Sequence, residues 1–211
     1  MQKLILASSS PRRAEVLRNA GIEFEVRPAN VDETRRPGEP AGNYVQRLAL
    51  EKARAAVNSE TSANNFIVIG ADTVVVNGEE ILLKPDSAED ARRMLRQLSG
   101  GVHEVHTGLA VILTPQKIER VIEEVTSVHF AKLSDAEIDA YIATGEPFDK
   151  AGAYGIQSLG GRYVTRVEGC YFNVMGMPLG RLWATLKEFG WSANAPSPMD
   201  PRPMSRQLTD S

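Results

Sequence analysis

Phe66-Ile67-Val68-Ile69-Gly70-Ala71-Asp72-Thr73-Val74-Val75-Val76-Asn77-Gly78 decides the fold class. Four apolar residues, a Gly-Ala-Asp-Thr step and three valines make a run rich in β-branched side chains, as expected of a strand buried on both faces. Asn77-Gly78 closes the run with a strong hairpin signal, and Ile81-Leu82-Leu83 supplies the returning strand. Upstream, Lys3 to Ala7 reads as a short buried strand. Pro11 to Ala20 then reads as a helix, with Ser10 at the N-cap, Pro11 at the first helical position and Gly21 past the end. Ala41 to Asn58 forms a second helix, and Ser87 caps a third that ends near Ser99-Gly100-Gly101. Val105 to Leu113 and Val121 to Phe130 read as strands joined around Pro115. Ser134 with Glu137 makes a capping box for a helix to about Thr144. Tyr163 to Val167 is a late strand, and Pro178 to Phe189 is the last long helix. Strands alternate with helices, yet a hairpin and paired strands interrupt the alternation. This predicts one α/β domain with two lobes, built on a mixed sheet with helices packed against it.

The rest of the 211-residue chain fits that reading. Apolar residues make up 42% and charged residues 24%, ordinary values for a globular domain, which excludes collagen-like and disulfide-framework chains. The body spans residues 1-192. Residues 193-211 hold Pro196, Pro198, Pro201 and Pro203 among Ser, Asn, Asp and Arg, and this composition predicts a disordered tail. The net charge of -3 argues against a duplex nucleic-acid binder. Cys170 is the single cysteine, so no internal disulfide forms. With no signal-peptide pattern, the expected compartment is the reducing cytoplasm. No apolar run approaches the ~20 residues that cross a bilayer, so no membrane partner is expected.

Four stretches carry chemistry. Ser8-Ser9-Ser10-Pro11-Arg12-Arg13 lies where a strand hands over to a helix. Free N–H groups, the helix dipole, hydroxyls and two guanidinium groups there suit a phosphate; they also suit an ordinary capped helix with two solvated arginines. Asp72 sits inside the buried strand, where a carboxylate is costly unless it is paired, bound to metal or placed at a cleft. Lys52 falls within the apolar stripe of the second helix (Val45, Leu48, Ala49, Ala53, Ala56), and such a lysine either snorkels outward, the commoner case, or reaches a buried anion. Asp149-Lys150-Ala151-Gly152-Ala153-Tyr154-Gly155-Ile156-Gln157 combines small residues that allow close backbone approach with a glutamine able to read a base edge. Lys84-Pro85 follows the hairpin. His103 and His106 lie three apart on a strand and face opposite sides, and His129 lies on another strand, so no zinc site is expected. The absence of a Gly-x-Ser-x-Gly elbow leaves Ser-His-Asp hydrolysis unsupported.

Together, Leu6 to Arg13, Gly70 to Val75, Lys84-Pro85, His103 to Gly108, Asp149 to Gln157 and Asn173 to Leu179 resemble, in order, the motifs of the Maf family of nucleoside triphosphate pyrophosphatases. The resemblance covers about residues 3-190. It implies an elongated mixed sheet flanked by helices, with two lobes around a cleft, akin to inosine triphosphate pyrophosphatase. It also implies hydrolysis of a nucleoside triphosphate to the monophosphate and pyrophosphate, a divalent cation (Mg²⁺ or Mn²⁺) and a homodimer. Carried over residue by residue, Asp72 is the proton acceptor, and Glu33 matches an acidic position that joins it at the metal. Ser8, Ser10, Arg12, Arg13, Lys52 and Lys84 bind phosphate. Arg12, Thr73 and Gln157 resemble the specificity set of the branch acting on dTTP and UTP. The alternatives are a pyrophosphatase for 7-methyl-GTP or non-canonical purine nucleotides, and a non-catalytic nucleotide-binding regulator of septum formation.

Overall fold

The computed structural model describes residues 2–58, 61 and 63–192; the expected tail at 193-211 lies outside them. A seven-stranded mixed sheet forms the centre, in the order β2-β1-β3-β5-β6-β7, with β4 also paired to β3. Strand β1 (Lys3–Leu6) runs parallel to β2 (Glu25–Val26) and to the first half of β3 (Phe66–Asn77). The remaining pairs are antiparallel: β3 with β4 (Glu80–Leu82), β3 with β5 (Val102–Leu113), β5 with β6 (Ile118–Phe130), and β6 with β7 (Val164–Glu168). The helices include α1 (Pro11–Asn19), α2 (Ala41–Ala55), α3 (Ala88–Leu98), α4 (Asp135–Ile142), the single turn α5 (Tyr171–Val174) and α6 (Leu179–Glu188). Among the described residues, no helix is long and apolar enough to cross a membrane.

Local signals account for most boundaries. The Ser87 hydroxyl accepts from the Asp90 N–H at the start of α3, and Ser134 and Glu137 form the full capping box of α4. Gly78, at φ +61°, makes the β3–β4 turn. Three expectations shift. Ser10 stands at the N-cap of α1 but its side chain makes no capping bond; instead its N–H donates to the Ser8 hydroxyl at 3.2 Å. Helix α2 stops at Ala55, because Asn58 turns the chain by accepting from the Thr61 N–H. Strands β5 and β6 each begin three residues early, since their pairing continues from Leu113↔Ile118 to Val102↔His129. The polar residues His103, Glu104, Glu119 and Arg120 hide the extensions from a hydrophobicity reading.

On one face of the sheet, α1 and α6 bury Val16, Leu17, Leu182 and Leu186 against Leu4, Leu6, Ile67, Ile69, Leu109 and Val111. Further along the same face, α3 and α4 bury Leu95, Leu98 and Ile138 against Val75, Val105, Val128 and Phe130. These two cores are the two lobes. Between them β3 and β5 carry the register pair Thr73↔Thr107, whose hydroxyls lie 3.0 Å apart; Thr107 donates onward to the Asn173 carbonyl at 3.1 Å. A polar seam therefore separates two apolar cores on one continuous sheet.

Helix α2 covers the opposite face and lies almost on the sheet backbone. A Cβ at Gly70 would stand 2.1 Å from the Ala49 carbonyl oxygen, and one at Gly108 would stand 2.1 Å from that of Val45. Gly108 is the register partner of Asp72, so this contact fixes the helix beside the buried acid. Gly108→Ala is therefore expected to lower the unfolding free energy by about 3 kcal/mol or more through overpacking. Gly180→Ala in the first turn of α6, where a Cβ would meet nothing within 4 Å, should instead raise it by up to ~0.5 kcal/mol through helix propensity. Urea denaturation of the two variants checks both signs.

Candidate active site

The cleft arises from a gap in strand pairing. Along one edge of β3, β1 pairs with Phe66 to Ile69 and β4 with Val75 to Asn77. Residues 70–74 have no strand on that edge, so side chains from both faces of β3 reach one opening. A cavity of about 550 Å³ lies there, a volume suited to a small-molecule ligand. Ser8, Ser10, Arg12, Arg13, Glu33, Lys52, Asp72, Thr73, Lys84 and Gln157 all line it. The sheet thus brings together every site residue expected from sequence.

From the α2 side comes Lys52. Its ammonium donates to Glu33 Oε1 at 2.5 Å and to Asp72 Oδ1 at 2.7 Å. Lys52 and Asp72 are each only 8% exposed. The apolar stripe of α2 by itself favours an outward-snorkelling lysine; here the close approach of the helix leaves the side chain pointing at the sheet, where it meets two acids. Burial tends to raise the Glu33 carboxyl, but the hydrogen bond and charge of Lys52, with Lys84 and Arg13, outweigh it and hold it below the ordinary carboxylate range. Tyr44, on the same row of α2 as Lys52, donates its hydroxyl to the Glu33 carbonyl at 2.8 Å and so anchors the loop that carries this acid. Burial, then the charges of Asp72 and Glu33, push the Tyr44 phenol up to about 12. Tyr44 was not among the expected site residues; its place in the α2 stripe, two turns before Lys52, was the available signal.

The opposite wall is built from α1. Arg13 donates to the Gly176 carbonyl at 2.9 Å, the Ser8 hydroxyl at 3.0 Å and the Thr73 hydroxyl at 3.1 Å. Much of its guanidinium is therefore engaged in tying the β1–α1 turn to the polar seam. Burial lowers its pKa, with the Asp72 charge opposing. Arg12 crosses the mouth of the cleft: its Nη1 donates to Asp149 Oδ2 at 2.6 Å and its Nη2 to the Asp149 carbonyl at 2.9 Å. Lys150, buried on the same rim, donates to Asp149 Oδ1 at 2.6 Å and to the Glu146 carbonyl at 2.7 Å. Asp149 and Lys150 lie in the glycine-rich stretch singled out in the sequence, but only the fold reveals them as the counter-ion and neighbour of Arg12.

The far wall holds Tyr154, Gly155 and Gln157. Behind it, His103 is buried and its Nε2 lies 2.8 Å from the Tyr154 hydroxyl, while its Nδ1 is buried with no partner among the described residues. Phe130 stacks edge-on to both rings. Burial, with a smaller contribution from His129, lowers the His103 imidazole to about 4. His106 points to the other face, toward Glu123 and Glu104, and His129 pairs with Glu168, as the strand spacing predicts.

Asp72 and Glu33 lie close enough to share the Lys52 ammonium through one oxygen each, which leaves the second oxygen of each without a partner among the described residues. Two carboxylates are hard oxygen donors, and a small divalent cation such as Mg²⁺ is bound through one or two carboxylates plus substrate phosphates rather than by a full protein cage. The residues present therefore fit such an ion. Among the described residues, no group of three or more His, Cys, Asp or Glu could hold a metal.

Residues 3–189 match the family described as Maf-like protein. The dTTP/UTP pyrophosphatase of Acetivibrio thermocellus is 47% identical over 196 residues, covering 91% of this chain and 98% of that one. The dTTP/UTP pyrophosphatase of Koribacter versatilis is 51% identical over 187 residues, covering 89% and 94%. The solved structure of the Staphylococcus aureus Ham1 protein covers 89% of this chain and 100% of that chain, with a TM-score of 0.47 and 16% identity.

The buried imidazole gives a pH signature. A histidine whose folded pKa lies below its unfolded value contributes stability in full above about 6.5, and that contribution falls away as pH drops toward 4. The urea midpoint of the wild type should therefore decline relative to that of a His103→Gln variant as pH falls across this window. A difference that stays constant with pH would refute the assignment.

Proposed function

The chain belongs to the Maf family, and from that premise we propose that it hydrolyses dTTP and UTP to the nucleoside monophosphate and pyrophosphate. The observation that carries the reading is Asp72, a buried carboxylate held by Lys52 at the free edge of β3, in a cavity also lined by Arg12, Arg13 and Lys84. Relatives named for this activity match about nine-tenths of the chain.

In this reading the triphosphate lies along the cationic side of the cleft. Arg12, Lys52 and Lys84 offset its charge, and the hydroxyls of Ser8 and Ser10 donate to phosphate oxygens, while Arg13 braces the turn that carries them. Lys52 occupies Oδ1 of Asp72 and leaves the other carboxylate oxygen without a protein partner among the described residues. That oxygen takes a proton from water as the water oxygen bonds to the α-phosphorus. The bond from the α-phosphorus to the bridging oxygen breaks, and pyrophosphate leaves with the bonding pair. Glu33 and Asp72 are the residues that would hold Mg²⁺ or Mn²⁺, which when bound withdraws charge from the phosphate oxygens and acidifies water. Gln157, with Arg12 and Thr73, completes the specificity set. Thr73 acts from within the seam, since its hydroxyl already meets Arg13 and Thr107.

The same reading includes a catalytic domain spanning 1-192, a tail at 193-211 that is dispensable for turnover, a cytoplasmic setting and a homodimer.

Two measurements test the reading. Incubation with dTTP or UTP and Mg²⁺ or Mn²⁺ should yield monophosphate and pyrophosphate in equal amounts; orthophosphate with a diphosphate would refute it. Asp72→Asn should lower turnover by roughly 10²-fold or more, the scale of general-base contributions, while nucleotide affinity persists. Near-wild-type turnover would remove Asp72 from the chemistry.

A further inference from the structure

The wall carrying Gln157 is shaped by a carboxylate, Glu146, that does not itself line the cleft. Glu146 opens a short 3₁₀ turn after Gly145, whose φ is +76°. Its Oε1 accepts from the Tyr141 hydroxyl at 2.7 Å, the Ser158 hydroxyl at 2.7 Å and the Gly160 N–H at 3.2 Å. Its Oε2 accepts from the Leu159 N–H at 3.1 Å. The Tyr141 hydroxyl in turn accepts from the Gly155 N–H at 3.3 Å. One carboxylate therefore grips the chain on both sides of Gln157: directly at 158–160, and through Tyr141 at 155.

Three features make this more than a capped loop. Tyr141 is fully buried, so one end of the network is fixed in the core of the second lobe. A Cβ at Gly160 would stand 2.6 Å from the Tyr141 hydroxyl, so the approach of the segment to the tyrosine leaves no slack. Gln157 is half-buried, lines the cleft and makes no hydrogen bond among the described residues, so its amide donor and acceptor are both unspent. Burial tends to raise the Glu146 carboxyl, but the hydrogen bonds from Ser158, Tyr141, Gly160 and Leu159 bring it below the ordinary range, so it remains the acceptor the network needs.

We propose that Glu146 is a positioning residue for nucleobase selection: it folds 155–160 so that the Gln157 amide meets the base edge. The inference rests on the nucleotide-hydrolysis reading above. A glutamine amide presents one acceptor and one donor side by side. Uracil and thymine carry a carbonyl at ring position 4 where cytosine carries an amino group, so an amide kept with its N–H toward that position separates UTP from CTP, whereas one free to flip matches either. A site built to hydrogen-bond one edge penalises the mismatched partner because a buried polar group is left unmatched.

The experiment compares UTP with CTP on the full chain. Pyrophosphate release gives kcat and KM, and calorimetry with a non-hydrolysable αβ-imido analogue of each nucleotide gives affinity. Glu146→Ala should cut the UTP:CTP ratio of kcat/KM about tenfold, the scale of one lost discriminating hydrogen bond, chiefly through a higher KM for UTP. Glu146→Gln, which keeps one acceptor oxygen, should recover part of the ratio. In a Gln157→Ala background, Glu146→Ala should move the ratio by less than about twofold, because the route through Gln157 is already gone. An unchanged ratio, an equal loss for both nucleotides confined to kcat, or full additivity with Gln157→Ala would each overturn the proposal. If Glu146→Ala fails to fold by circular dichroism, Ser158→Ala removes one contact from the exposed side. It should lower the ratio about threefold, on the scale of a neutral hydrogen bond, and no change would overturn the proposal. A wild type that releases no pyrophosphate refutes the hydrolysis reading instead, and the affinity ratio of the analogues then decides the role of Glu146 alone.

Discussion

The site depends on helix α2 resting directly on the backbone of β3 and β5. Glycine at positions 70 and 108 removes the side chains that would otherwise separate helix from sheet. Lys52 is carried in with the helix, and its ammonium closes on Asp72 and Glu33 from above the sheet. A buried charge without a partner is costly, and removal of one member of a buried pair exposes that cost. The three charged groups are tolerable together because the helix cannot stand off. The same contact that orders the site also makes it sensitive to any bulk added between helix and sheet.

A second constraint acts on the other face. Thr73 and Thr107 interrupt what would be a continuous apolar surface, so the α1–α6 core and the α3–α4 core each close on themselves. Asn173 supports this seam from α5: its side-chain amide donates to the Val105 carbonyl and the Thr126 hydroxyl, both at 3.0 Å. Arg13 reaches into the seam from α1. Apart from Ile156, which packs against both cores, the lobes therefore meet through hydrogen bonds, which are directional and keep the walls in a set relation.

Much of this was legible in the sequence. The valine-rich run ending at Asn77-Gly78 located the central strand and its hairpin, and a carboxylate in that run marked Asp72 as unusual. Caps at Ser87 and Ser134 marked two helices. What the sequence could not supply is the partner of each charge. Arg12 and Asp149 are 137 positions apart and meet only because the sheet order sets α1 opposite the 146–153 turns. The engagement of Arg13 by Gly176, Ser8 and Thr73 is equally non-local. Lys52 shows the limit most clearly: helical periodicity gives its face but not the helix-to-sheet distance, which decides whether a long side chain escapes to water or is captured. Glu146 left no local signal, since its four partners belong to α4 and to the segment after Gly155.

The gap along β3 has another consequence. A strand edge without a partner is a template on which a second chain can build, and soluble proteins shield such edges. Here β1 and β4 pair with both ends of the same edge, and only residues 70–74 remain between them. A foreign strand cannot lie along so short an opening without displacing β1 or β4, whereas a small molecule enters freely. The opening that admits a ligand is thus narrow enough to refuse a polypeptide, and the sheet keeps a reachable central strand without offering a seed for aggregation.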